Sequence, residues 1–83
     1  MTTTEKLDVV RVKIMTFDKL PKAATARSRN KSERLHANVR MVFHEADSLE
    51  GYAVQDDVQY LFEAVLQVAD KLIDAAIKAR SEN

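Results

Sequence analysis

Val54, Val58, Leu61, Val65, Val68, Leu72, Ala75 and Ala79 recur at alternating steps of four and three through the C-terminal third of the chain. Residues at that spacing share one side of an α-helix. A second row, Phe62, Leu66, Ala69, Ile73 and Ala76, runs beside the first and widens the apolar face beyond a two-helix seam. Such a helix has to be covered on two sides. Residues 56–80 would span roughly 37 Å, which is long for a chain of 83 residues. A chain of that size buries only about 60% of its unfolded surface. A homodimer is therefore expected, with Val58, Leu61, Phe62, Val65, Leu66, Leu72 and Ile73 at the interface. The alternative is a closed three-helix bundle in which the N-terminal helix covers the second row.

Leu35, Val39, Val42, Ala46 and Leu49 repeat the four-three spacing, so residues 32–50 read as a second amphipathic helix. Asn30 or Ser32 would open it, with Glu33 three residues after Asn30 in a capping-box arrangement. Gly51, the only glycine, is expected to close it at positive φ, where a branched residue would be strained. The short link onward to Asp56 or Asp57, either one a candidate cap with Gln59, makes the last two helices an antiparallel hairpin. Leu61 and Val65 are expected in its buried seam, where an aspartate would unfold or dissociate the protein.

The N-terminal segment matches two templates. Leu7, Val10, Ile14 and Phe17 fit a helix face, whereas Val10 to Ile14 alternates like a strand and is β-branched. A possible capping box at Thr2 and Glu5, the stop at Pro21 and the lack of a second alternating run favour a helix over 4–19. Residues 20–31 are small, polar and basic and read as a connecting segment. The expectation is one all-α domain spanning 1–83, with helices near 4–19, 32–50 and 55–80, assembled as a dimeric bundle.

Thirteen basic and thirteen acidic residues cancel, but unevenly along the chain. Residues 11–40 hold nine basic side chains against Asp18 and Glu33, and residues 41–83 hold nine acids against Lys71, Lys78 and Arg80. Such asymmetry suits an anionic partner for the basic part, or attraction between the two halves.

Catalytic chemistry finds little support. There is no cysteine, and a single glycine excludes a nucleophile elbow, a phosphate-cradling loop and a dinucleotide fingerprint. His36 and His44 stand eight apart on one helix, too far to share a metal ion. Asp56, Glu63, Asp70 and Asp74 read as a solvated stripe, with Asp74 and Lys78 as an i,i+4 pair. Arg11, Arg27, Lys31 and Arg40 could form a pocket for a dianionic metabolite, but no motif supports it. The protein is expected not to be an enzyme and to have no metal, cofactor or small-molecule substrate. No apolar run is long enough to cross a membrane and the first residues lack a signal peptide's apolar stretch, so a cytoplasmic location is expected.

The most informative polar feature is the basic set Lys19, Lys22, Arg27, Arg29, Lys31 and Arg34, interspersed with Thr25, Ser28, Asn30 and Ser32. These residue types contact phosphates well. No aromatic residue falls within 18–42, so duplex contact fits better than base stacking on single strands. A helix-turn-helix would place Ser28 at the turn glycine and Arg34 where an apolar residue should pack. A ribbon-helix-helix would need a far shorter link after Ile14. Two functions remain: a small DNA-binding or nucleoprotein-associated regulator using this set, and a protein-interaction module, adaptor or inhibitor, docking on a protein target.

Overall fold

The computed structural model describes residues 2–52 and 56–82. The chain is all-α. Helix α1 spans Thr3–Lys19, α2 spans Ala26–Leu49 and α3 spans Asp56–Ser81, with a 3-10 turn at Glu50–Tyr52. Together they form a rod of 45 × 18 × 15 Å, its length set by α3, whose 26 residues rise about 39 Å.

Helix α1 begins where the capping pattern places it, with the Thr2 hydroxyl accepting the Glu5 backbone N–H at 3.1 Å. It ends at Leu20, which is extended at φ −73° and ψ 143°, as a residue before proline is biased to be. The strand alternative for Val10 to Ile14 is absent. Val10 is 1% exposed and Val12 is 60% exposed, the contrast that helical spacing imposes.

Helix α2 starts six residues earlier than the apolar spacing indicates. Thr25, not Asn30 or Ser32, is its cap, and its hydroxyl accepts from the Ser28 N–H at 3.1 Å. Arg29 then folds back and donates to the carbonyls of Ala23 and Ala24, both at 3.1 Å. The first turns lack large apolar residues because they pack through small ones: Ser28 is 9% exposed and Ser32 fully buried. Half of the expected connecting segment, residues 26–31, is therefore helix. At the other end Gly51 has no positive φ. The helix tightens into the 3-10 turn instead, and a Cβ added at Gly51 would meet nothing within 4 Å. The strain expected at that glycine does not exist. Asp56 and Asp57 already belong to α3, so neither caps it, and the positions just before Asp56 lie outside the described residues.

The core is built on the second row of α3. Phe62, Leu66, Ala69, Ile73 and Ala76 are 0–2% exposed. One cluster joins Leu7, Val10 and Ala46 to Phe62, Leu66 and Ala69, and a second joins Phe17 and Val39 to Ile73 and Ala76. Ile14 touches both clusters. Most of the first row lies at the margin: Leu61 and Val68 are 51% and 49% exposed, Val65 and Leu72 are half-buried, and Ala79 at its end is buried. Leu61 is therefore not in a buried seam, and Phe62, Leu66 and Ile73, expected between chains, are covered by this chain's own α1 and α2. Both rows have the same period, so spacing could not tell them apart. The four apolar residues that α1 brings against α3 decide which becomes core.

Phe62→Ala and Ile73→Ala should each lose about 2–5 kcal/mol, as large-to-small changes in packed cores do. Leu61→Asp should leave the helical fold intact at low micromolar concentration, with a change of about 1 kcal/mol or less. Chemical denaturation followed by circular dichroism measures all three. Unfolding by Leu61→Asp alone would mean that the first row, not the second, is the core.

Candidate interaction surfaces

Among the described residues one dense polar cluster is buried, where ends of the three helices meet. Arg80, 8% exposed, donates through Nε to Ser32 Oγ at 3.4 Å and through Nη1 to the Leu20 carbonyl at 3.3 Å. Its Nη2 pairs with Glu33. The guanidinium lies 4.0 Å over the ring of Phe17, and the imidazole of His36 stacks on that ring at 4.2 Å and 19°. Phe17 thus sits between a cation and an imidazole. Burial pushes the His36 pKa below its ordinary value of 6.5, and the nearby Arg40 and Arg80 add to that effect against the opposing pull of Asp18 and Glu33. His36 Nε2 approaches Asp18 at 3.4 Å without a hydrogen bond. The cluster holds no nucleophile aligned with a base, and every polar group of Arg80 is engaged in joining helices. It is a structural lock.

Much of the charge asymmetry is resolved inside the chain. Lys13 of α1 reaches Asp70 at 2.7 Å and Asp74 at 3.0 Å on α3. The Asp70 hydrogen bond, with Asp74 behind it, raises the Lys13 pKa above 10.5 against the opposing effect of burial. That stabilisation is present throughout the neutral range and is lost only as pH rises through the folded value. Lys6 approaches Glu63 at 3.9 Å. The carboxylate stripe expected to be merely solvated is therefore a docking edge for α1, and Asp74 is taken by Lys13 rather than by Lys78. Arg11 binds Asp47 at 2.8 Å and Asp8 at 3.0 Å, and Arg40 lies 3.6 Å from Asp18. Arg11 and Arg40 thus face α1 carboxylates and α2's own Asp47, so the suggested pocket of Arg11, Arg27, Lys31 and Arg40 is not assembled. His44 contributes its backbone carbonyl to Ser48. Among the described residues no group of histidines and carboxylates is placed to hold a metal ion, and no helix is long and apolar enough to cross a membrane.

What remains is informative. Lys19, Lys22, Arg27, Lys31 and Arg34 make no ion pair or hydrogen bond through their side chains among the described residues. Arg27, Lys31 and Arg34 lie on one side of the first turns of α2 and line a shallow concave surface with Thr25, Ser28, Asn30 and Glu82. Lys19 ends α1, Lys22 lies in the link, and Arg29 is turned inward onto carbonyls. So three of the six expected phosphate contacts share a surface, and an acid shares it with them.

Part of the exposed apolar surface lies beside it, and Val9, Val12, Met15 and Tyr60 are exposed elsewhere, on α1 and the first turns of α3. On α2, residues seven apart form two neighbouring rows, Arg27, Arg34, Met41, Ser48 and Lys31, Asn38, Glu45, all of them exposed. On α3, Leu61, Val68, Ala75 and Glu82 form a third row by the same spacing. Glu82 stands among Arg27, Lys31 and Arg34, which places the α3 row along the α2 rows. Met41 is 68% exposed, and Tyr52, just beyond α2, is 65% exposed. Met41, Leu61 and Val68 give the α2–α3 border three exposed large apolar side chains, and Tyr52 is exposed in the turn that follows α2. The sequence places Leu61 and Val68 in one apolar row and puts Leu61 in a buried seam, but it gives neither Val68 nor Met41 a role at the surface. A second concavity of about 600 Å³ lies between α1 and α3, with Val9, Tyr60 and Leu66 among its lining residues. Its charged residues Lys6 and Asp70 are already in ion pairs across the two helices. No known protein family, curated protein or solved structure matches this chain.

Arg80→Ala should destabilise the fold by about 3 kcal/mol, because it removes charged hydrogen bonds together with packing. Arg80→Lys should recover less than half of that, since an ammonium lacks the planar fork. Urea titration checks both, and full rescue by lysine would show that charge alone matters. For His36, the unfolded chain takes up the proton first as pH falls, so stability should drop from about pH 6.5 downward. His36→Phe should flatten the dependence of the urea midpoint between pH 7.5 and 5.5.

Proposed function

We propose that this protein is a small, non-catalytic interaction module in which α2 and α3 form an antiparallel hairpin whose outer face docks on protein. The observation that carries this is the exposure of Met41, Leu61 and Val68, about half or more of each, on helix rows that run along the border of α2 and α3, with Tyr52 exposed in the turn after α2. Scattered apolar residues are ordinary on a surface, but rows of them rimmed by charge mark association sites. The rim here is basic at the end bearing Arg27, Lys31 and Arg34. Regulation by docking, as an adaptor or inhibitor, follows from a surface without reactive groups.

A second reading, a DNA-binding or nucleoprotein-associated regulator, is favoured by the five basic side chains left without partners at one end. Its weakness is geometric. Only Arg27, Lys31 and Arg34 converge, Arg29 is engaged on carbonyls, and Glu82 lies in their midst.

Titration of labelled duplex DNA at ~50 and ~200 mM salt separates the two. The docking module should show no salt-dependent duplex binding at either concentration. The DNA reading requires binding whose logarithm falls with log salt by about 0.9 per phosphate contact, and a shallower slope in the Arg27→Ala, Lys31→Ala, Arg34→Ala triple variant. That outcome would displace the docking reading.

A further inference from the structure

We infer that the occupant of the α2–α3 face is a second copy of this chain, seated antiparallel across it so that the basic end of each subunit covers the acidic end of the other. The inference rests on the docking reading above and names its partner.

Once the ion pairs within the chain are set aside, the charge remaining on the α2 rows is segregated by end, with Glu82 of α3's C-terminal end the one acid that stands at the basic end among the described residues. Arg27, Lys31 and Arg34 occupy the first turns of α2. Glu45 lies on the same rows three turns further on, followed by Glu50 in the 3-10 turn and Asp57 at the start of α3. None of these acids has an ion-pair partner among the described residues. Arg34 and Glu45 are about 16 Å apart along the helix. A twofold axis crossing α2 between Asn38 and Met41 sets Arg34 of each copy opposite Glu45 of the other. The same axis carries Lys31 and Arg27 over the far end, where Glu50, Tyr52 and Asp57 stand. Tyr52 there offers an exposed ring to a guanidinium. Met41, Leu72 and Val68 lie near the axis, so apolar surface meets apolar surface at the centre and opposite charges meet at the rims.

Other placements are worse. An axis shifted toward Leu61 and Val68 would bring Glu45 against its own copy, which like-charge repulsion opposes. A parallel arrangement would set basic end on basic end. The area also suits a dimer. One side of a rod 45 Å long and 18 Å wide offers roughly 800 Å², close to the per-subunit area of a standard stable interface. A symmetric, self-complementary patch is what a twofold homodimer requires.

The test is sedimentation equilibrium on the full chain from ~1 to ~100 µM at ~50 mM salt, with four proteins. Wild type should be a dimer. Met41→Glu with Val68→Glu, both at exposed positions, should keep its helicity and weaken association at least 100-fold. The acidic variant Arg27→Glu, Lys31→Glu, Arg34→Glu and the basic variant Glu45→Arg, Asp57→Arg should each be weakened tenfold or more. Mixing those two should restore a heterodimer of wild-type strength. A wild-type monomer at ~100 µM overturns the inference while leaving the docking reading to the duplex titration. A dimer indifferent to Met41→Glu and Val68→Glu, or charge variants that fail to complement one another, overturns it equally.

Discussion

One helix carries more apolar surface than its neighbours can cover. Helix α3 has two adjacent rows; α1 and α2 together bury the row of Phe62, Leu66, Ala69, Ile73 and Ala76, while in the other row Ala79 is buried and Leu61 and Val68 are left about half exposed. From this the rest follows. Helix α1 must lie where it delivers Leu7, Val10, Ile14 and Phe17 to that row, and Lys13 and Lys6 then fall onto the carboxylates of α3. The other row is left at the outer border with α2, where Leu61 and Val68 meet water. The same packing brings the end of α3 against the start of α2, and Arg80 fills a space that Ser28 and Ser32 are small enough to leave open. The chain thus converts a shortage of covering surface into both a lock and an exposed face.

The helices were legible in the sequence because a period near 3.6 residues survives in α1, α2 and α3 alike. Thr2 also marked the start of α1 correctly. Three features were not legible, each for a physical reason. The start of α2 was hidden because its packing residues are serines, which polarity-based spacing counts as surface. The end of α2 fell within one residue of its expected place, but its form was misread because Gly51 suggested a left-handed cap, whereas this helix ends by tightening into a 3-10 turn that any residue could occupy. The choice of core row was undetermined because two rows of equal period differ only in what α1 brings to them.

The charge pattern was visible from the start, but its meaning depended on contacts that only the fold supplies. Nine basic residues between 11 and 40 suggested a polyanion partner. Folding engages Arg11, Lys13 and Arg40 with carboxylates and Arg29 with carbonyls. The remainder is not a continuous basic surface. Lys19 and Lys22 stand apart on the end of α1 and the link, and Arg27, Lys31 and Arg34 form a short stripe continuing into apolar rows. A stripe of three cations beside exposed methionine, valine and leucine has the composition of a protein-docking rim, with charge at the edge and apolar area within.

The central claim is that the two rows of α3 face different environments. The chain has no cysteine, so single-cysteine variants report one position each. Thiol-labelling rates at sub-micromolar protein for Leu61→Cys, Val68→Cys, Leu66→Cys and Ile73→Cys test the claim directly. The account predicts that Leu61→Cys and Val68→Cys react nearly as fast as a free thiol. It predicts protection of at least 100-fold for Leu66→Cys and Ile73→Cys. Equal rates at all four positions, or protection of the Leu61 and Val68 positions with exposure of the other two, would contradict it.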